Sequence, residues 1–553
     1  MELEYLFTRR ELLKILCKKR CLLAKKEHDR QFYKNILVKS SHAKQHELYE
    51  IFPPRNTWIR LRKSERSSKN ATQINSEQLE RTVLLSTKRL TKFSSTGWQS
   101  KLLRFIDEII SKALSSSYSI PKPKIISHFK EEKNGIKVFR PIAHFEYVDR
   151  IIISQLNKYL TYHFDRTFEN CSYAFRSRAS VGKSFSHHGA VEDIIEFKRK
   201  NNKKNLFVAE CDIKKFYDCV NHAVVRSHFY DKVSILKRNG TIINQRALDL
   251  FESYLKCYSF NKDVLSINLG KDCEFGWVDE IELRDIQSDP SKEEIGVPQG
   301  GAISCFIANL LMDYVDKKVL SYDDKNLFYA RFCDDMVLIH TKKKISQEIL
   351  NVYGTALKDI KLLHHNFTTI KYYDKDFWKS KSKSSYKWGD PALSNKNVPW
   401  LSFVGYQIKF DLKIRVRKSS IKNEILKQLK ETDKIIEYVK TNKKFKVSER
   451  AIKYRITQRL LSMSVGRKSI FNPKKEGQMC WSSGFRVLKQ NDNVKYQLRH
   501  LDKKRGKQLA RLDRIIKNMN KNNRPDKNRK VLATNETKYY GAPFSYYFQL
   551  NTN

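Results

Sequence analysis

LFYARFCDDMVLIH, residues 327–340, sets two adjacent carboxylates, Asp334 and Asp335, between two apolar runs. Leu327, Tyr329 and Arg331 alternate with Phe328, Ala330 and Phe332, and Met336-Val337-Leu338-Ile339 follows the acidic pair. Aromatic and β-branched residues on both arms predict a strand, a tight turn and a second strand. Asp favours turns for reasons of its own, so such a hairpin need carry no chemistry. Carboxylates forced together at a turn can also hold divalent cations, and that reading requires partners elsewhere in the chain.

One partner stands upstream in LFVAECDIKKFYDCVNH, residues 206–222. An apolar strand is predicted to end at Asp212, with helix-like sequence after it. A carboxylate at one strand end beside a turn carrying two more suits a two-metal phosphoryl-transfer site, where ions about 3.5–4 Å apart share acidic ligands. Hard oxygen ligands and bound phosphates make magnesium the expected metal, as two ions. Between the acidic motifs lies IGVPQGGAISCFIANLLMDYVD, residues 295–316. Gly296, Pro298, Gly300 and Gly301 predict a turn that a base or sugar could approach closely, followed by an apolar helix over 303–316.

The order strand-Asp212, then Gly-Val-Pro-Gln-Gly-x-x-Ile-Ser, then Phe-x-Asp-Asp, resembles the reverse transcriptase family, in its bacterial group II-intron-related branch. GIKVFRP (135–141), Val148-Asp149-Arg150, CSYAFR (171–176) and Phe403-Val404-Gly405-Tyr406 resemble further blocks of that family, in its order, over roughly residues 120–410. The resemblance implies roles residue by residue. Asp212, Asp334 and Asp335 would be catalytic and hold the metals. Tyr217 matches the aromatic that presses on the sugar and excludes a 2′-hydroxyl. Gln299 and Gly300 would line the nucleotide pocket, and Arg140 and Arg176 would clamp the triphosphate. The Tyr usual before x-Asp-Asp is Phe332, and the Lys expected after the catalytic hairpin is not evident in LHHNFTTIKYYD, residues 363–374.

Composition agrees with a polyanion-binding protein. The 553 residues carry 108 Lys+Arg against 60 Asp+Glu, a net charge of +48. Such a field draws nucleic acid and predicts binding that falls steeply with salt. No secretory signal or long apolar span is evident, so neither membrane insertion nor export is expected. Ten cysteines show no paired C-x-x-C arrangement, which fits reduced thiols in a cytoplasm. Residues 375–399, rich in Ser, Lys and Asn, read as a surface loop.

The fold expected is α+β, a right-hand polymerase with fingers, a palm built on an antiparallel sheet, a helical thumb and a helical N-terminal extension. Its parts would be a basic extension (1–100), fingers and palm (101–410), helical thumb and basic C-terminal region (411–530) and an aromatic tail (531–553). The expected function is an RNA-directed DNA polymerase with RNA, DNA product and deoxynucleoside triphosphates as partners; self-association is compatible with the sequence. The basic C-terminal region looks most like the defence-associated "unknown group" reverse transcriptases, which implies phage defence with a bound noncoding RNA. Alternatives are an RNA-gripping maturase or chaperone and an untemplated polymerase. The tail, with Tyr539, Tyr540, Ser545, Tyr546 and Tyr547, would either dock or supply a hydroxyl that primes synthesis.

Overall fold

The strands that build the site are, in chain order, β1 (Lys124–Lys133), β2 (Ile136–His144), β3 (Leu206–Cys211), β4 (Cys273–Glu274), β5 (Leu327–Phe332), β6 (Asp335–His340), β7 (Phe367–Thr368) and β8 (Ser382–Trp388). The computed structural model describes the chain outside residues 31–46, 67–68, 70, 89–96, 134, 178–184, 266–272, 276–279, 285, 288, 290–291, 323, 369–372, 442–448, 466–480, 490, 524–540 and 553. Contacts divide it into a unit of Met1–Glu11, Asp107–Val404 and Ile408–Leu412, and a unit of Leu12–Ile106, Gly405–Gln407 and Lys413–Asn553.

In the first unit a five-stranded sheet runs in the order β5-β6-β3-β8-β7. Its pairs are antiparallel except β7 with β8, which is parallel. The architecture of this unit is α+β, a largely antiparallel sheet backed by helices. β3 is the middle strand, buried along nearly its whole length, which explains its near-continuous apolar run. The helix Ala302–Leu320 is apolar around much of its circumference, with Ile303, Phe306, Ile307, Leu310, Leu311, Met312, Val315 and Val319 buried. Phe306 joins a cluster in which Phe229 and Phe251 stack at 3.8 Å and Phe164 lies 5.3 Å from Phe229. A second sheet, β1-β2-β4, carries the long hairpin with Arg140.

The expected surface loop over 375–399 is corrected by this topology. Lys375–Lys379 is a short helix, and Ser382–Trp388 is the sheet strand β8 beside β3. Its polar sequence is buried because its partners are polar too. Lys383 meets Glu210 at 2.5 Å, and the Tyr386 hydroxyl donates to the same carboxylate at 2.6 Å. A hydrophobicity reading sees only a polar run; the complementary acid sits on another strand.

The second unit is helical, holding most of the N-terminal segment and the C-terminal helices. Lys418–Thr441, Glu449–Val465 and Asp492–Asn523 bury Ile435, Val439, Ile452, Ile456, Leu460, Leu509, Leu512 and Ile516 against one another, leaving Lys-rich faces outward. Within the aromatic tail, Pro543–Thr552 is a helix. Asp502 caps it from a distance, accepting from Phe544 N (2.9 Å), Ser545 N (3.0 Å) and Ser545 Oγ (2.7 Å). Among the described residues no helix is long and apolar enough to cross a membrane.

Candidate active site

Sheet register places the acidic residues. Cys211 pairs with Met336 across β3 and β6, so one further step sets Asp212 opposite Asp335. Phe332 pairs with Asp335 across β5 and β6, which leaves Cys333 and Asp334 as a two-residue turn. Cys333 adopts φ +62°, the left-handed region that tight hairpin turns demand. Burial, then the nearby charge of Asp212, holds the Asp334 carboxyl above its usual range. The two carboxylates therefore feel each other, although 122 residues of chain separate 212 from 334.

A buried ion pair makes this turn rigid. Arg331, with no solvent exposure, donates from Nε and Nη2 to both oxygens of Asp316 at 2.7–3.1 Å. Its Nη1 donates to the Cys333 carbonyl at 3.0 Å, clasping the turn from behind. The Tyr329 hydroxyl donates to Asp316 at 2.8 Å. The block Cys171–Arg176 adds its backbone, with Arg331 N donating to Cys171 O and Tyr173 N to Arg331 O. The alternation of Tyr329 and Arg331 along β5 thus puts both on the face that meets Asp316.

The segment after Asp212 folds against the glycine-rich loop. Gly296 N donates to Val220 O and Val297 N to Tyr217 O, at 2.7 and 2.8 Å. Gly296 has φ +90°, and a Cβ there would lie 2.5 Å from the Phe260 Cβ; only glycine fits. At Gly301 a Cβ would come 1.9 Å from the Tyr254 hydroxyl, which is itself held by Ser304 at 2.8 Å. Gln299 is fixed at both ends. Its carbonyl accepts from Ala143 N on β2 at 2.9 Å, and its Nε2 donates to the buried Asp218 at 2.6 Å. Gly300, exposed at φ +96°, leaves open backbone beside it, and the half-buried Tyr217 sets its hydroxyl 3.2 Å from the Cys333 sulfur. Asp212, the Asp-Asp turn, Tyr217 and Gln299 are thereby connected within one unit, and the exposed Arg140 contributes to the field at Asp218.

Residues 120–367 match the family model described as "Reverse transcriptase (RNA-dependent DNA polymerase)". That stretch is similar to a reverse transcriptase domain. Among solved structures, telomerase from Candida albicans in complex with a TWJ fragment of telomeric RNA is similar at 14% identity, covering 81% of this chain and 72% of that one, with a TM-score of 0.33. Apo telomerase from Candida tropicalis is similar at 12% identity, covering 86% and 79%, with a TM-score of 0.32. No curated protein sequence matches the chain. The family match supports a nucleotidyltransferase activity of the RNA-dependent DNA polymerase class for residues 120–367.

Two features of this region depart from the sequence reading. Arg176 is not free to clamp a triphosphate. Its side chain is 3% exposed and forms an ion pair with Asp165 at 2.8 Å, while Nη1 and Nη2 donate to the carbonyls of Glu169, Asp165, Ser172 and Phe168. It ties a turn together, the usual fate of a buried guanidinium with many acceptors. Of the two basic candidates, Arg140 is the one exposed. The second departure is a cation the sequence did not reveal. Lys381, just before β8, reaches Asp212 at 3.3 Å, and His365 lies 3.8 Å from the same carboxylate. The only available signal was their place after the catalytic hairpin, hidden in segments that look like polar loop.

Among the described residues no three His, Cys, Asp or Glu side chains converge as a ready cation cage. The donor set nevertheless fits magnesium in kind. Asp212 and Asp334 are hard oxygen donors close enough to repel, and magnesium usually keeps waters and substrate phosphates as its other ligands. In the tail, the Ser545 hydroxyl is engaged by Asp502, and the Tyr546 ring is 57% exposed. Tyr539, Tyr540 and the side chain of Tyr547 lie outside the described residues.

Proposed function

We propose that the chain is a magnesium-dependent RNA-directed DNA polymerase whose metals are held by Asp212, Asp334 and Asp335. The register of β3 against β6 is the observation that supports this most directly, since it brings the strand-end carboxylate to the Asp-Asp turn. Bound magnesium would make the primer hydroxyl easier to deprotonate and stabilise the departing pyrophosphate. The protein's own groups do the rest. Gln299 and Gly300 seat the nucleotide, Arg140 attracts its phosphates, and the Tyr217 ring walls off the 2′ position.

Primer extension on an RNA template tests this reading. Wild-type protein should incorporate deoxynucleotides and reject ribonucleotides. Tyr217→Ala should lower that discrimination on the order of tenfold to a hundredfold, the range one steric contact in a pocket can provide. Wild-type preference for ribonucleotides would overturn the assignment, and equal synthesis without template would favour untemplated addition.

The finer reading is a phage-defence enzyme with a bound noncoding RNA, supported by the resemblance of its C-terminal region and by a charge of +48. A hydroxyl of the aromatic tail as primer belongs to the same reading. RNA that copurifies at about 50 mM salt should be largely lost by about 200 mM if roughly 6–10 phosphates are contacted. Sequencing it should yield one dominant structured species. A mixture of cellular RNAs would argue against a dedicated partner.

A further inference from the structure

Asp218 has no part in the chemistry assigned so far, yet it is a buried acid beside two residues of the proposed nucleotide pocket, Tyr217 and Gln299. It is 3% exposed, follows Tyr217 directly, and accepts a 2.6 Å hydrogen bond from Gln299 Nε2. A buried carboxylate is costly unless something repays its desolvation, so its position demands a partner. The partner is a side chain 81 residues away, on the glycine-rich loop that also carries the exposed Gly300.

We propose that Asp218 is a positioning residue that fixes which way round the Gln299 amide meets the incoming nucleotide. The proposal rests on the reading of Gln299 as a pocket residue. An amide can present either oxygen or nitrogen, and its own barrier to flipping is small in energy. An ionised carboxylate only accepts, so it forces Nε2 inward and leaves Oε1, with the second N–H, for the nucleotide side. The Gln299 main chain cannot drift, because its carbonyl is held by Ala143 N and the Pro298 carbonyl by Ser304 Oγ at 2.7 Å. The pocket therefore offers an acceptor of defined direction.

The arrangement is sensitive to protonation. Burial raises Asp218 to about 6, against the hydrogen bond from Gln299 and the charges of Lys215, Lys130 and Arg140. Tyr258 and Cys219 also neighbour it, and burial pushes both of their pKa values up, so neither contributes charge near neutrality. Above about 6 the carboxylate imposes one amide orientation. Below it, the neutral acid can accept from Nε2 or donate to Oε1, and the constraint is lost.

Steady-state primer extension with varied deoxynucleotide, from pH 5.5 to 8, tests this in three variants of the full chain. Asp218→Ala should raise KM for deoxynucleotide about tenfold with kcat within about threefold, the size of one charge-assisted bond. Asp218→Asn keeps the contact and loses the charge. Its KM should be intermediate, and it should lack the rise in KM that wild-type protein shows as pH falls below about 6. Gln299→Ala separates the two readings. If it raises KM while both Asp218 variants match wild type at every pH, the positioning role is wrong and the pocket reading stands. If Gln299→Ala leaves KM unchanged, both are wrong. Should Asp218→Ala not fold, the asparagine variant decides: a pH dependence of KM identical to wild type overturns the proposal.

Discussion

Asparagine at both Asp334 and Asp335 abolishes magnesium-dependent DNA synthesis, lowering the rate by a factor on the order of a thousand or more, and leaves RNA binding near wild type. Loss of metal-held transition-state stabilisation amounts to several kcal/mol, and each ~1.4 kcal/mol is tenfold in rate. The substitution keeps side-chain volume, so the turn held by Arg331 has no steric reason to change. Stability should move in the opposite direction to activity. Burial and Asp212 raise the Asp334 pKa in the folded protein, so folding favours its protonated form. At neutral pH the ionised carboxylate therefore detracts from stability, and that penalty vanishes as pH falls below the unfolded-state value. Asp334→Asn removes the penalty, so metal-free protein should melt at or above the wild-type temperature. Primer extension, filter binding and thermal melting check the three parts, and full activity in the double variant would remove the metal-site assignment.

Arg331→Met destabilises the first unit by roughly 3–5 kcal/mol, the usual consequence of stranding one member of a buried ion pair. Asp316, fully buried, would be left with the Tyr329 hydroxyl as its donor. Replacing Arg331 by Met and Asp316 by Leu together should recover most of the loss, because no charge is then stranded. Activity should not recover with it, since the Cys333 carbonyl still lacks the Arg331 donor that clasps the Cys333-Asp334 turn. Urea denaturation of the single and double variants, beside primer extension, separates the two effects. A single variant as stable as wild type would show that the pair contributes little.

Particular residues show where sequence reading reached and where it stopped. The Asp-Asp hairpin, the strand leading to Asp212 and the helix after the glycines were legible, since each is announced by a local apolar period. β8 was not. Its Ser- and Lys-rich sequence has the composition of a loop, and its burial depends on Glu210 in β3, 173 residues from Lys383. The helix in the tail was not legible either, because the Asp502 cap that starts it lies 42 residues upstream of Phe544.

By itself the sequence determined the order of the motifs, the positions of the acidic residues within them and the excess positive charge, because spacing and composition are properties of chain neighbours. Tertiary structure decided which charges are free to act. It buried Arg176 against Asp165, set Lys381 against Asp212, and paired Asp218 with Gln299. A side chain's partner, and therefore its protonation and availability, comes from elements far apart in the chain. Local periodicity carries no record of that choice.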